Sequence, residues 1–309
     1  MTQKLLLVVG PTAVGKTALS VELAQKFNGE VISGDSMQIY RTLDIGTAKV
    51  TLEEMQGIKH YMLDINDVSQ RFSVADFIAS AKKDAQMIEQ KHKLPIIAGG
   101  TGFYLHALLN DFHLGKDSYD EAETTRQKWH AYAKEHGKQA LWDKLFEIDP
   151  KASKKIPPQN ENRVVRALEV YETTGKLFSS QSDQKDDSFD ALMIGLTTER
   201  ALLYKRIEKR VDLMVKQGLE AEAKMLYEKG GLELPAGKGI GYKEFYPYFE
   251  GKTTLEEAIS EVKKNSRHYA KRQLTWFRNK MDVKWFDIIE HPEQKQEIFE
   301  LVRDWLREE

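Results

Sequence analysis

The residues best equipped for chemistry come early in the chain. Gly10-Pro11-Thr12-Ala13-Val14-Gly15-Lys16-Thr17 has the spacing G-x-x-x-x-G-K-[ST]. Glycines in such a loop let backbone N–H groups converge on phosphate oxygens, Lys16 neutralises an oxygen, and Thr17 offers a hydroxyl to Mg²⁺. A phosphate or diphosphate site is therefore expected, and the loop alone leaves open which molecule carries the phosphates. Asp35, in the run Asp35-Ser36-Met37-Gln38, and Thr101, in Gly99-Gly100-Thr101-Gly102, are the next candidates. Each has a local alternative: Asp35 stands in good turn-capping chemistry, and Thr101 can serve as a helix N-cap.

Which alternative holds depends on the elements that carry these residues. The run Lys4-Leu5-Leu6-Leu7-Val8-Val9 stops at Gly10-Pro11 and reads as a buried parallel strand. Leu19, Leu23 and Phe27 recur at helical spacing until Asn28-Gly29, and Val31-Ile32 begins a second strand that ends near Gly34. A helix over 73–91 leads to a third strand, Pro95-Ile96-Ile97-Ala98, which ends at Gly99-Gly100 ahead of a helix over 103–109. Strand, glycine turn and helix thus occur twice, which predicts the α/β class with a P-loop NTPase-like parallel sheet core. Ligands of open α/β sheets bind at the carboxyl edge, so the three loops are expected to converge on one cleft.

From about 111 to 188 that rhythm gives way to polar helical segments at 121–135 and 163–174. A helical insertion domain is predicted over 112–189, between core segments 1–111 and 190–309. Ala191-Leu192-Met193-Ile194-Gly195-Leu196 returns to the sheet. Helices over 200–216, 219–228, 255–279 and 291–307 follow, with a short strand at 283–286.

The 309 residues are 41% hydrophobic and 30% charged, enough for a sizeable core. No stretch of about 18 apolar residues occurs, so no membrane-spanning helix is expected. No secretory leader pattern precedes the first strand, and the expected location is the cytoplasm. With no cysteine, disulfides and thiolate metal sites are excluded. A net charge of −2 argues against a uniformly basic nucleic-acid binder, yet positions 261–280 hold seven Lys or Arg and a single Glu. On a helix, Lys263, Arg267, Lys271 and Arg278 fall within roughly an 80° arc, while Tyr269, Trp276 and Phe277 point elsewhere. The basic stripe suits an RNA backbone or a solvated helix face; the aromatic face suits the core.

Eight blocks, GPTAVGKTAL, DSMQIYRTLDIGTAK, FSVADF, IIAGGTGFYLHALL, NRVVRALEVYETTGK, RIEKRVDLM, GIGYKE and YAKRQLTWFR, occur in this order between Leu5 and about Trp285. Together they resemble the bacterial tRNA dimethylallyltransferases. The resemblance implies a P-loop core interrupted by a helical domain, and a transferase whose phosphate loop holds dimethylallyl diphosphate in place of ATP. The prenyl group would pass to the exocyclic N6 amine of adenosine 37, beside the anticodon of tRNA. It further implies Asp35 as proton acceptor, Thr101 as lining the reaction channel, and Arg126 as reaching the reacting nucleotide. Arg206 and Arg210, four apart on one helical face, resemble the family's diphosphate-binding arginines. Asp35, Ser36, Met37 and Gln38, and Gln159, Asn160, Glu161, Asn162 and Arg163, match its tRNA-contacting stretches.

With that match, Lys263, Arg267 and Lys271 are expected on the tRNA phosphate backbone. Met37 stands where an arginine is usual; Gly237-Lys238-Gly239 and the pair Ser266 and His268 also depart from the pattern, at positions that bear on single tRNA contacts. Without cysteine for the zinc finger of eukaryotic relatives, the chain resembles the shorter bacterial form, and a monomer is expected. The alternatives are an ATP-dependent small-molecule kinase, which the loop fits equally, and a prenyltransferase for free adenine nucleotides, which has less use for a basic helix. A non-catalytic RNA-binding protein would have no use for Lys16 and Asp35.

Overall fold

Strand β1 (Gln3–Val9) runs through the middle of the sheet because Leu5, Leu6, Leu7, Val8 and Val9 are apolar toward both faces, and all five are fully buried. The computed structural model describes residues 2–110, 119–180 and 188–308. After β1 come α1 (Lys16–Lys26), β2 (Gly29–Ser33), α2 (Leu52–Met55), β3 (His60–Tyr61), α3 (Val74–Glu89), β4 (Leu94–Gly99) and α4 (Gly102–Leu109). Then follow α5 (Tyr119–Ile148), α6 (Pro150–Ser153) and α7 (Glu161–Thr174). The chain continues with β5 (Phe189–Leu196), α8 (Arg200–Gln217), α9 (Leu219–Glu228), α10 (Tyr246–Phe249), α11 (Leu255–Lys280), β6 (Lys284–Phe286) and α12 (Gln294–Arg307).

The sheet order is β3-β2-β4-β1-β5-β6 and the pairings are parallel, with Leu6 opposite Ile96 on one side and Leu192 on the other. Alternate side chains go to opposite faces. Leu6, Val8, Ile96 and Ile194 pack with Leu19 and Leu23 of α1, Leu203 of α8 and Val302 of α12. Leu5, Leu7, Val9, Ile97 and Met193 pack with Phe77 of α3, Leu105 of α4 and Phe277 of α11. The helix after β1 therefore covers one face and the helix after its neighbour β4 covers the other. Loops that diverge in this way leave a crevice at the carboxyl edge.

A third cluster supports the long loop after β2: Ile39, Tyr40 and Leu43 pack against Leu219, Ala223 and Leu226 of α9 and against Tyr242 and Phe245. Nothing in the sequence pattern announces β3, since two residues carry no periodicity. The chain divides into two compact units, Met1–Leu109 with Asp186–Glu309, and Asn110–Lys185. In the second unit the expected helix over 121–135 runs on to Ile148, broken at Gly137, whose φ of 87° and ψ of 161° are not helical. Leu141, Leu145, Val164 and Leu168 form the core of that unit. Among the described residues no helix is long and apolar enough to cross a membrane.

Candidate active site

The phosphate loop joins β1 to α1, and its path requires glycine at both ends. Gly10 and Gly15 have φ of 142° and 102°, and a Cβ on Gly10 would lie 2.5 Å from the Leu196 carbonyl oxygen. Lys16 donates from Nζ to the Pro11 carbonyl at 2.7 Å. Burial, then the neighbouring charge of Arg210, pull its pKa down to about 8, against an opposing pull from Asp35. Arg206 and Arg210 project from α8, one helical turn apart. Arg206 Nε donates to the Ala13 carbonyl at 2.9 Å, and Arg210 donates to Thr12 Oγ1 at 3.3 Å. Burial lowers the pKa of Arg210, while Asp35 and Glu54 act to raise it. Thr17 is exposed on the cleft wall.

The loops after β2 and β4 meet the phosphate loop from the other side. Asp35 Oδ1 accepts the Met37 N–H at 2.8 Å, so the carboxylate does cap its own turn through one oxygen. The Thr101 hydroxyl accepts the Ser36 N–H at 3.1 Å and donates to Ser36 Oγ at 3.4 Å, tying the two loops together. Contact between them is close enough that a Cβ on Gly99 would lie 2.3 Å from the Gly34 carbonyl carbon. Buried Gln273 of α11 accepts the Thr12 N–H at 3.0 Å and donates to the Gly100 carbonyl at 3.0 Å, bridging the first loop to the third.

One turn before Gln273, Tyr269 lines the cleft. Burial raises its pKa above the ordinary tyrosine value, and the Asp35 charge adds to the effect. The expectation that the aromatic face of this helix is core therefore needs correction residue by residue. Phe277 is fully buried, Tyr269 faces the cleft, and Trp276 stands edge-on to Phe103 and His106. Their i, i+4 spacing puts Tyr269 and Gln273 on one face of the helix, but it does not show that this face meets the cleft.

Two cavities adjoin at this edge. The larger, about 850 Å³, is lined by Thr12, Lys16, Thr17, Asp35, Arg206 and Arg210, among others. The second, about 230 Å³, shares Thr12, Asp35, Thr47, Arg210, Met214 and Tyr269 with it and is otherwise walled largely by Met37, Ile207, Val211, Ile240 and Val262. Among the described residues no cluster of three or more His, Cys, Asp or Glu could hold a metal ion.

The family model described as IPP transferase matches residues 38–280. The chain belongs to the IPP transferase family. It is 58% identical over 307 residues to a tRNA dimethylallyltransferase of Ligilactobacillus salivarius, with 99% of this chain and all of the relative aligned. It is 52% identical over 288 residues to one of Bacillus cytotoxicus, covering 93% and 90% of the two chains. The full-length tRNA isopentenylpyrophosphate transferase of Bacillus halodurans superimposes with a TM-score of 0.74 at 49% identity, over 99% and 97% of the chains. A eukaryotic dimethylallyltransferase acting on tRNA gives 0.82 at 30% identity, over 99% of this chain and 80% of that one.

Other residues that the resemblance to this transferase family singled out stand in varied settings. The Gln38 carboxamide is committed inside its own loop: Oε1 accepts from Ser33 Oγ at 2.9 Å, and Nε2 donates to the Thr47 and Ala48 carbonyls at 3.2 and 3.3 Å. Met37 packs against the backbone of Gly239, where a Cβ would meet its terminal methyl at 2.7 Å. The basic stripe is not a row of free cations. Lys263 pairs with Asp212 at 2.6 Å and Arg267 with Glu208 at 2.7 Å, both acids on α8, and Arg278 lies over the Trp285 ring. Lys271 is exposed and, with His268, Arg272, Trp276 and Lys280, lines a surface hollow of about 550 Å³. In the second unit, Arg126 grips buried Glu169 through two hydrogen bonds of 2.8 and 3.0 Å, and Arg166 pairs with the same carboxylate. Gln159, Asn160, Asn162 and Arg163 are exposed, while Glu161 pairs with His130 and Lys138.

Proposed function

We propose that the chain transfers the dimethylallyl group of dimethylallyl diphosphate to the exocyclic N6 amine of adenosine 37, next to the anticodon of tRNA, and releases diphosphate. One observation carries this reading: a cationic phosphate cleft adjoins an apolar cavity, with the Asp35 carboxylate among the residues common to both. The diphosphate ester of a five-carbon hydrocarbon is divided in the same way. A kinase acceptor, which presents a polar hydroxyl, has no use for walls of Met37, Ile207, Val211, Met214, Ile240 and Val262.

In this reading Lys16, Arg206, Arg210 and the N–H groups of the phosphate loop bind the diphosphate and stabilise the charge that gathers on it as the allylic C–O bond breaks. The N6 amine of adenine is a poor nucleophile because its lone pair is delocalised into the ring. A carboxylate is too weak a base to ionise it in advance. The proton therefore leaves as the N–C bond forms, and Asp35 accepts it through the oxygen that the Met37 N–H does not occupy. Of the cleft residues, the Thr17 hydroxyl would be the protein ligand to Mg²⁺, and so spare a donor set suits this ion because Mg²⁺ needs few protein oxygens when a phosphate is present. Bound there, it would neutralise charge on the leaving group.

For the RNA, Lys271 and the exposed cations beside it on α11 contact phosphates, while residues 159–163 of the second unit contact the tRNA. An unpaired loop base turns outward at a lower cost than one in a duplex. The test is to incubate the protein with unmodified tRNA and labelled dimethylallyl diphosphate, then digest the RNA. Label on adenosine 37 supports the reading. Transfer of the γ-phosphate of ATP to an acceptor, with no label entering tRNA, overturns it.

A further inference from the structure

Glu222 belongs to none of the motifs above, yet its carboxylate is the most heavily coordinated acid near the cleft. From α9 its Oε2 accepts the N–H groups of Asp44 and Ile45 at 2.8 and 2.9 Å, and its Oε1 accepts the Gly46 N–H at 2.9 Å and the Tyr242 hydroxyl at 2.7 Å. Consecutive backbone N–H groups that converge in this way form an anion nest, here filled by a side chain of the same protein. Fully buried Tyr242 closes over the turn so tightly that a Cβ on Gly46 would lie 2.6 Å from its ring. The other end of the turn is pinned by Lys49, whose Nζ reaches the Tyr40 carbonyl, Asp44 and Asp64 at 2.8, 2.5 and 2.6 Å. This held segment lines the sites: Ile45, Thr47 and Ala48 face the phosphate cleft, and Gly46, Thr47 and Tyr242 face the apolar cavity.

We propose that Glu222 is a positioning residue for prenyl transfer: its carboxylate fixes the 44–46 turn, and so holds the wall shared by the phosphate cleft and the apolar cavity in register with Asp35. The inference rests on the function proposed above. Asp44, the nearest acid in the turn, is already committed to Lys49 and cannot take over the nest. A glutamine at position 222 keeps one acceptor oxygen and turns an N–H₂ donor toward backbone donors, leaving part of the nest unsatisfied.

The experiment uses full-length Glu222→Gln and Tyr242→Phe, with amide hydrogen exchange, single-turnover transfer and tRNA affinity measured on each. Losing hydrogen bonds to a charged acceptor predicts, in Glu222→Gln, exchange at 44–46 faster by about tenfold or more and transfer slower by about tenfold or more at saturating substrates. Exchange in α1 and affinity for tRNA stay within about twofold of the parent, since the four groups that Glu222 binds lie on neither the phosphate loop nor the basic helix. Tyr242→Phe keeps the ring on Gly46 and removes one partner of the carboxylate, so it moves both readouts the same way by less; should Glu222→Gln not fold, this variant alone decides. Unchanged exchange at 44–46, or parental transfer in a variant whose exchange has risen, overturns the proposal. Exchange that rises equally in α1 while tRNA affinity falls in step also overturns it, because that marks a general loss of stability. If the parent itself transfers no prenyl group, the functional reading has failed, and exchange with affinity for inorganic diphosphate then tests the latch alone: both altered supports it, both unchanged sinks it.

Discussion

Replacing Lys16 by methionine tests the charge logic of the phosphate loop in two directions at once. Burial, with Arg210 adding to it, brings the Lys16 ammonium from an ordinary 10.5 to about 8. Below pH 8 the folded protein therefore carries a charge held less favourably than in the unfolded chain. At about 1.4 kcal/mol per pKa unit the penalty is roughly 3 kcal/mol, an upper figure because the side chain keeps some solvent contact. Between 8 and 10.5 the unfolded chain binds more protons than the folded one, so parental stability rises with pH across that window. Methionine has similar length and no charge, and it forfeits the hydrogen bond to Pro11. In protein assayed without diphosphate at pH 7, Lys16→Met is expected to resist urea better than the parent by about 1–3 kcal/mol, with the gap closing as pH climbs past 8 toward 10.5. Inorganic diphosphate should raise the melting temperature of the parent and scarcely move that of the variant. A variant of equal or lower stability, with a pH-independent difference and parental protection by diphosphate, would refute the reasoning.

Asp35→Asn retains an oxygen for the Met37 N–H, so it should melt within a few degrees of the parent and yet transfer the prenyl group at least about a hundredfold more slowly in single-turnover kinetics. Near-parental transfer would leave Asp35 a turn cap only. For the basic helix, Lys271→Ala should weaken tRNA binding and reduce the slope of log affinity against log salt by about 0.7–0.9, the amount of one phosphate contact. Lys263→Ala and Arg267→Ala should change that slope less, because Asp212 and Glu208 already neutralise those cations; equal changes from all three would reverse that ranking. Far from the cleft, burial would raise the pKa of Glu30, but hydrogen bonds from Lys93, Tyr61 and Lys91 outweigh it and hold the carboxyl at about 2 against an ordinary 4.5. Between those values the unfolded chain binds the extra proton, so up to roughly 3 kcal/mol of stability is present above pH 4.5 and is lost as pH falls toward 2. Acid unfolding of Glu30→Gln should lack that component.

What the sequence by itself determines about this protein is whatever contiguous residues can dictate. The phosphate loop is legible because its shape follows from glycine at two positions and from the strand and helix that begin and end beside it. The parallel core is legible because β1 is apolar toward both faces, which water would not tolerate at an edge. The family blocks are legible for the same reason of contiguity. Helix periodicity likewise shows that Lys263, Arg267 and Lys271 share a face, but it cannot show which of them meets an acid on another helix. That was decided when α8 packed along α11 and brought Asp212 to Lys263 and Glu208 to Arg267, while among the described residues no acid pairs with Lys271. Tyr269 and Phe277 look alike in an aromatic stripe, and only the seating of α11 over the sheet sends one to the cleft and the other into the core. Gln273 reaches Thr12 across 261 positions and Glu222 reaches Gly46 across 176. A single polar side chain has no local pattern to betray such a bond. Its partners are backbone N–H groups, which every residue but proline possesses, and tertiary packing alone selects which of them it meets.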